Sequence, residues 1–299
     1  MKSTMRNIQK IVKTNGLFRF IFYPIIIIRR GVLRIINLRY FNYRKLFSNV
    51  TEGSLVVKIE DVGGDFEIDA RSEILQRILL SKGFEPETAS AIKGNVNKGK
   101  DAVNIGANVG IFTVMLANLI DNDRKVLAVE PTPLAFEYLG RNVTRNKLES
   151  KVIFYNGLCV EKKGKYTLNV IRGMEEFSSI GDSYFQSIFN RPIEEIEVEG
   201  ETMDNLVINN NFHYLMEPGT IVIDVEGAEM NVLKGARSTL DRFKPIIILE
   251  VHGDLLEKQN SSSEEVINYL TDAGYLVSNL TGGKIQHPFT GNIIAKPKP

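Results

Sequence analysis

Three acids fall within six positions in the run Asp224-Val225-Glu226-Gly227-Ala228-Glu229, directly after the apolar stretch Ile221-Val222-Ile223. A second apolar run, Ile246–Leu249, leads into Glu250, Val251 and His252. Carboxylates and imidazole are the side chains that take and return protons near neutral pH, so these two segment ends are where a general base is expected. Asp224, Glu226 and His252 are the candidates, as base or as groups that orient an acceptor. Plainer readings stand beside them: Glu226 and Glu229 also suit the positive end of a following helix, and His252 suits a loop with a satisfied hydrogen bond. The same carboxylate and histidine set could hold Mg²⁺. His213 and His287 read as surface residues.

A second group is built for binding. Gly106-Ala107-Asn108-Val109-Gly110 lies between the apolar run Ala102–Ile105 and the helical run Ile111–Leu119. Glycines there let backbone approach a ligand and expose N–H groups at a helix start. Asn108 stands where a dinucleotide fingerprint needs its second glycine, which argues against NAD and its pyrophosphate. Glu130 follows Gly106 by 24 positions, at the end of the next apolar run. An acid at about that spacing is placed to hold the two ribose hydroxyls of a nucleoside; the plain alternative is a solvated strand-end carboxylate.

The elements that must position these groups alternate in type. Ala102–Ile105, Lys125–Val129, Val152–Tyr155, Ile221–Val225 and Ile246–Val251 read as strands. Ile111–Leu119, Leu134–Arg145 and Glu229–Leu240 read as helices, with Leu134, Phe136 and Leu139 as core. Continuously apolar strands that alternate with helices indicate a parallel sheet covered on both faces. Upstream, Asp69–Ser81 reads as a helix, and Pro86 suits the first position of the next one. Residues 159–200 are turn-rich, with strand segments Tyr166–Val170 and Glu195–Val198. Ser262-Ser263-Glu264-Glu265 carries a capping signature, and Leu276–Ser278 and Asn292–Ile294 read as closing, antiparallel strands.

Charge divides the chain. Of 37 Lys and Arg, 11 lie in residues 1–50, which hold no acid; the remaining 26 face all 36 Asp and Glu. The expected organisation is a basic, apolar N-terminal extension, 1–50, on a domain spanning 51–299 with its core at about 84–280. The extension contains Phe18–Tyr23 and Ile25–Ile28, about half of the roughly 20 residues a membrane-spanning helix needs. No small-residue cleavage site follows, unlike a signal peptide. Such a segment suits peripheral contact with an anionic membrane, or packing on the acidic body. The single cysteine, Cys159, cannot form an intrachain disulfide, which allows a cytoplasmic, reducing compartment.

In order along the chain, Gly83-Phe84-Glu85-Pro86, Val103–Gly110, Val129-Glu130-Pro131-Thr132-Pro133 with Phe136, Leu139 and Asn142, Glu201–Leu206, Ile223–Glu229 with Val232–Ala236, and Pro245–Glu250 resemble the FkbM family of S-adenosylmethionine-dependent methyltransferases. The resemblance covers roughly residues 60–280. It implies an α/β, Rossmann-like class I methyltransferase fold, a mostly parallel seven-stranded sheet with helices on both faces. It implies methyl transfer to a hydroxyl on a sugar, glycolipid or polysaccharide, or natural product, with S-adenosylmethionine as cofactor and no nucleic-acid partner. By position, Gly106, Asn108 and Gly110 would line the methionine moiety, Glu130 would hold the ribose and Asn156 would sit near the adenine. Glu85, Asn104, Ala107 and Pro131 complete the expected cofactor set. Most family members carry an acid where this chain has Asn104, and many a lysine where it has Val222; an Asn cannot pair with the cofactor's ammonium. No metal is expected, since transfer from a sulfonium does not require one. Serines 178 and 179, with Phe177, Tyr184 and Phe185, are expected to shape the acceptor pocket. The alternatives are a nucleotide-sugar or NAD-dependent enzyme on a similar sheet, and a membrane-associated binding protein with a degenerate cofactor site.

Overall fold

The computed structural model describes residues 53–81, 83–180, 192–208 and 214–299. The N-terminal extension, Tyr184, Phe185 and His213 lie outside the described residues. The described part begins with the hairpin β1 (Ser54–Ile59) and β2 (Gly64–Asp69), then helices α1 (Glu73–Ser81) and α2 (Pro86–Asn95). The expected helix over Asp69–Ser81 starts late because the Asp69 carboxylate folds back on Arg71, accepting its backbone N–H and guanidinium. Then come β3 (Asp101–Ile105), α3 (Ile111–Leu119), β4 (Val126–Val129), α4 (Pro133–Arg145) and β5 (Val152–Tyr155). An insertion of β6 (Leu158–Cys159), β7 (Gly164–Val170), a 3-10 turn (Glu175–Phe177), β8 (Ser179–Ile180) and β9 (Glu194–Glu201) forms its own four-stranded sheet. The chain returns through α5 (Met203–Ile208), β10 (Pro218–Ile223), α6 (Glu229–Lys234), α7 (Arg237–Phe243) and β11 (Ile246–Val251). It ends with α8 (Gly253–Lys258), α9 (Ser263–Asp272), β12 (Tyr275–Asn279) and β13 (Gly291–Pro297).

The main sheet has seven strands in the order β12-β13-β11-β10-β3-β4-β5. The five from β11 to β5 pair in parallel, and β13 is antiparallel to both its neighbours. Thus β12, expected to oppose the sheet, runs with it; only the strand inserted between β12 and β11 is reversed. This is the mostly parallel seven-stranded arrangement of a class I methyltransferase. From β3 the chain winds outward one way through β4 and β5, then returns to β10 and winds the other way. The β3–β10 junction is therefore a switch point, and ligands bind beyond the strand C-termini at such junctions.

Both faces are covered. Val103, Ile105, Leu127, Val129, Ile221, Ile223, Ile247 and Leu249 pack with Met203, Leu206, Val232, Leu240, Val266 and Leu270 of the helices on one side. On the other, α3 packs on β3 and β4, and α2 on β11. The expected single helix over Glu229–Leu240 is two helices. A Cβ on Gly235 would lie 2.0 Å from the Val160 carbonyl oxygen, so the helix breaks where the backbone of the insertion crosses it. Ser262 and Glu265 form the expected reciprocal cap. Among the described residues no helix is long and apolar enough to cross a membrane.

Candidate active site

A cavity of about 280 Å³ opens beyond the C-terminal ends of β3, β4, β10 and β11. Its floor is the turn after β3. Gly106 and Ala107 both donate their N–H to the Val129 carbonyl, at 3.0 and 2.9 Å, which folds the turn over the end of β4. Gly106 has φ 74°, and a Cβ there would stand 1.7 Å from the Asp224 carbonyl oxygen. Only glycine lets the β3 turn and the end of β10 come this close. Asn108 adopts φ 47°, and its side-chain oxygen accepts the Val109 N–H at 2.7 Å, the local bond that lets Asn tolerate this conformation.

Glu130 is buried beside that turn. Its Oε2 accepts the Asn108 N–H at 2.8 Å, and its Oε1 accepts the Thr132 N–H and hydroxyl at 2.9 and 2.6 Å. Burial raises its carboxyl above the ordinary range, and these donors oppose the rise. It lines the cavity with Gly106, Ala107, Asn108, Pro131 and Glu85, so the structure brings together six of the nine residues expected to hold the cofactor.

The other three do not line it. Asn104 pairs laterally with Ala128 and Val222, on the sheet face that α3 covers, and its amide donates to Thr113 Oγ1 at 2.9 Å. Successive strand residues alternate faces, so Asn104 is turned from the cavity and fastens strand to helix. Gly110 (φ 90°) is packed against Leu139, whose Cδ1 would lie 2.7 Å from an added Cβ. Asn156 is exposed and donates to the Glu130 carbonyl at 2.8 Å; it props the Glu130–Pro131 turn from outside.

At the far strand ends Asp224, Glu226, Glu250 and His252 line the same cavity. Glu226 sits at φ 47° in the turn after β10, the left-handed region where a non-glycine residue is uncommon. His252 Nε2 lies 3.3 Å from Glu250 Oε1 and 3.5 Å from Glu226 Oε2. Glu229 is fully buried; its Oε1 accepts the N–H groups of Gly227 and His252 at 3.1 and 3.3 Å. It clamps the β10 turn to the end of β11. Burial raises the carboxyls of Asp224, Glu226 and Glu250 above their ordinary values, and for Asp224 and Glu226 neighbouring carboxylates raise them further. Burial, helped by Arg77, holds His252 below its usual value. Neutral imidazole beside carboxyls that retain protons is a consistent charge state for this cluster. One atom from each of Asp224, Glu226 and His252 lies within 4.8 Å of the others, as does one from each of Glu85, Asp224 and Glu250, so either set could span a cation.

Sequence reading had missed Arg77 and Glu176. Arg77 reaches the cavity from α1, and Glu176 from the turn after β7. Glu176 accepts the Ser72 hydroxyl and the Glu73 N–H at the start of α1, at 2.9 and 2.6 Å. Burial pushes its carboxyl up to about 7. No local pattern marks either residue; an acid in a short turn gives no sign that it caps a helix a hundred residues away.

No curated protein sequence matches the chain. Solved structures similar to it include the FkbM methyltransferase of Methylobacillus flagellatus (16% identity, 68% of this chain and 45% of that one, TM-score 0.43). Others are a precorrin-6y C5,15-methyltransferase of Geobacter metallireducens (15%, 72% and 89%, 0.41) and M. jannaschii TYW2 in complex with AdoMet (16%, 83% and 86%, 0.42). The chain thus spans less than half the length of the first. Residues 104–277, more than half of the sequence, match the methyltransferase FkbM domain. The chain therefore belongs to the FkbM family of S-adenosylmethionine-dependent methyltransferases.

Proposed function

We propose that the chain methylates a hydroxyl oxygen of a sugar, glycan or natural-product acceptor. The observation that carries the reading is one cavity holding both the Gly106–Asn108 cradle with Glu130 and the Asp224–Glu226–Glu250–His252 cluster. The cradle fits a nucleoside whose other end is charged: backbone approaches closely at Gly106, and the buried Glu130 offers carboxylate lone pairs to ribose hydroxyls. S-adenosylmethionine, when bound, supplies a methyl group already activated by its sulfonium. The protein's share is to align the acceptor oxygen and remove its proton. His252 suits the second task, because its depressed basicity keeps Nε2 free of a proton at neutral pH while Glu250 and Glu226 stand within 3.5 Å to stabilise the imidazolium. Asp224, at the end of β10 beside the Gly106 turn, suits alignment. The reading as a degenerate binding protein was motivated by Asn104; that side chain bonds Thr113 and not the cavity, so the missing acid removes no group from the wall.

Calorimetry with S-adenosylhomocysteine and NADH tests the cofactor half: the first is expected to bind and the second not. Asp224→Ala should abolish turnover, followed with labelled cofactor on the host's glycolipid and polysaccharide fractions, while still binding S-adenosylhomocysteine. Absence of binding by the wild-type protein sinks the reading, and a fully active Asp224→Ala enzyme refutes that residue's role.

A further inference from the structure

The cavity wall contains polar atoms that the fold leaves unused. Ser178 and Ser179, between the 3-10 turn and β8, line it, and both hydroxyl oxygens are buried without a hydrogen-bond partner. The strip that carries them is fixed from behind. Phe177 packs with Ile171, Met174 and Leu255, the Ser178 N–H donates to the Glu175 carbonyl at 3.1 Å, and the Gln259 side chain donates to the Ile180 carbonyl. His252 Nε2 is a third buried atom without a hydrogen bond. Buried polar groups in native proteins are nearly always paired, and an unpaired one is costly. A cavity that leaves three such atoms is shaped for a ligand that pairs with them. Hydroxyl groups do this best, because each both donates and accepts.

The charge of the wall narrows the ligand further. Glu85, Glu176, Asp224, Glu226, Glu250 and Asp254 line the cavity, and among the described lining residues Arg77 is the one permanent cation. An acceptor bearing phosphate or carboxylate would place like charges together in a site of low dielectric, where repulsion is strong. A neutral or amino-bearing acceptor meets no such barrier.

Resting on the methyltransferase reading above, we infer that the acceptor is a polyol without anionic groups, whose neighbouring hydroxyls are held by Ser178 and Ser179 while a further hydroxyl faces the Glu226–His252–Glu250 cluster. Phosphorylated sugars, nucleotide sugars and uronic acids are excluded as acceptors.

The test uses the full chain saturated with S-adenosylhomocysteine and three probes titrated by ligand-observed NMR: methyl β-glucopyranoside, its 2-amino analogue and glucose 6-phosphate. The two uncharged or cationic probes should bind, and the phosphate at least tenfold more weakly. The double variant Ser178→Ala/Ser179→Ala should weaken methyl glucoside about tenfold or more and leave S-adenosylhomocysteine binding unchanged, which also shows that it is folded. Glu226→Gln should narrow the penalty on the phosphate. Failure of S-adenosylhomocysteine to bind the wild type overturns the methyltransferase reading itself. With that ligand bound, equal or tighter binding of the phosphate, no binding of either other probe, or an unaffected serine double variant overturns this inference alone.

Discussion

Gly106→Ala probes the contact on which the whole site is built. The added methyl would sit 1.7 Å from the Asp224 carbonyl oxygen, whereas real contacts need about 3 Å or more, so one of the two backbones must retreat by over an ångström. Rotation of that carbonyl is restrained, because the Asp224 N–H donates to the Ile105 carbonyl at 3.0 Å and the Gly106 N–H to Val129 at 3.0 Å. Alanine in the left-handed region costs about 1–2 kcal/mol. Losing both backbone bonds in a buried place adds about 1–3 kcal/mol for each group left unpaired. The loss is then on the order of 3–6 kcal/mol, against a total stability of typically about 5–15 kcal/mol. For a domain of this size each kcal/mol shifts the melting point by about 2–4 °C, so a fall of roughly 6–20 °C is expected. S-adenosylhomocysteine affinity should drop at least about 100-fold, since a displacement of an ångström destroys positioning of this kind. Gly140→Ala is the control: it lies within α4 with nothing within 4 Å of an added Cβ, and should raise stability by about 0.5–1 kcal/mol. Thermal melts and calorimetry on the two variants decide the matter. A Gly106→Ala protein that melts within 2 °C of wild type, on the order of the smallest shift, and binds the ligand normally would show that the β3 turn and the end of β10 do not touch.

Two further outcomes follow from buried carboxyls. Glu130→Gln keeps one acceptor oxygen but sets an amide N–H₂ against the N–H of either Asn108 or Thr132, both donors to the native carboxylate; with the ribose bonds also weakened, S-adenosylhomocysteine affinity should fall at least about 100-fold, at about 1.5–3 kcal/mol per bond to a charged group, and a loss under fivefold in calorimetry would dismiss the ribose role. The ligand-free protein should become less stable as pH rises from 5 to 7: burial pushes Glu85 and Glu176 up to about 7 from 4.5, so the folded chain holds protons that the unfolded chain has released. The slope is up to about 1.4 kcal/mol per pH unit for each proton so retained, Glu176→Gln should flatten it, and melts that are level or rise over this range would contradict the assignment.

The sequence displays the strands and the β3 turn plainly because their determinants are local. A run such as Ile246–Leu249 is apolar at every position because both faces of a parallel sheet are covered, and Gly106 and Asn108 are legible through the conformations only such residues tolerate. That same uniformity hides which face a strand residue takes. Asn104 looks like a ligand contact from its place two residues before Gly106, yet register with Ala128 and Val222 turns it toward Thr113. The contributions of Arg77, Glu176 and Ser72 were invisible for another reason: they reach the cavity or its rim from α1 and the insertion, elements whose meeting depends on tertiary packing.

Glu229 shows how a plain reading and a catalytic one can both miss what a residue does. It begins α6, as a helix-end acid should, but its carboxylate is fully buried and spends one oxygen on the N–H groups of Gly227 and His252. Those two groups belong to the turn that carries Glu226 and to the residue that carries the imidazole. Burying this carboxyl raises it to about 7, a cost that neither helix-end electrostatics nor surface solvation explains. It is explained if the two strand ends must be held in register: the acid fixes the backbone beneath Glu226 and His252, and the 3.5 Å between their side chains follows. The spacing Asp-Val-Glu-Gly-Ala-Glu thus encodes three different tasks in six residues, with alignment at Asp224, proton handling at Glu226 and, at Glu229, the clamp that brings β11 to meet them.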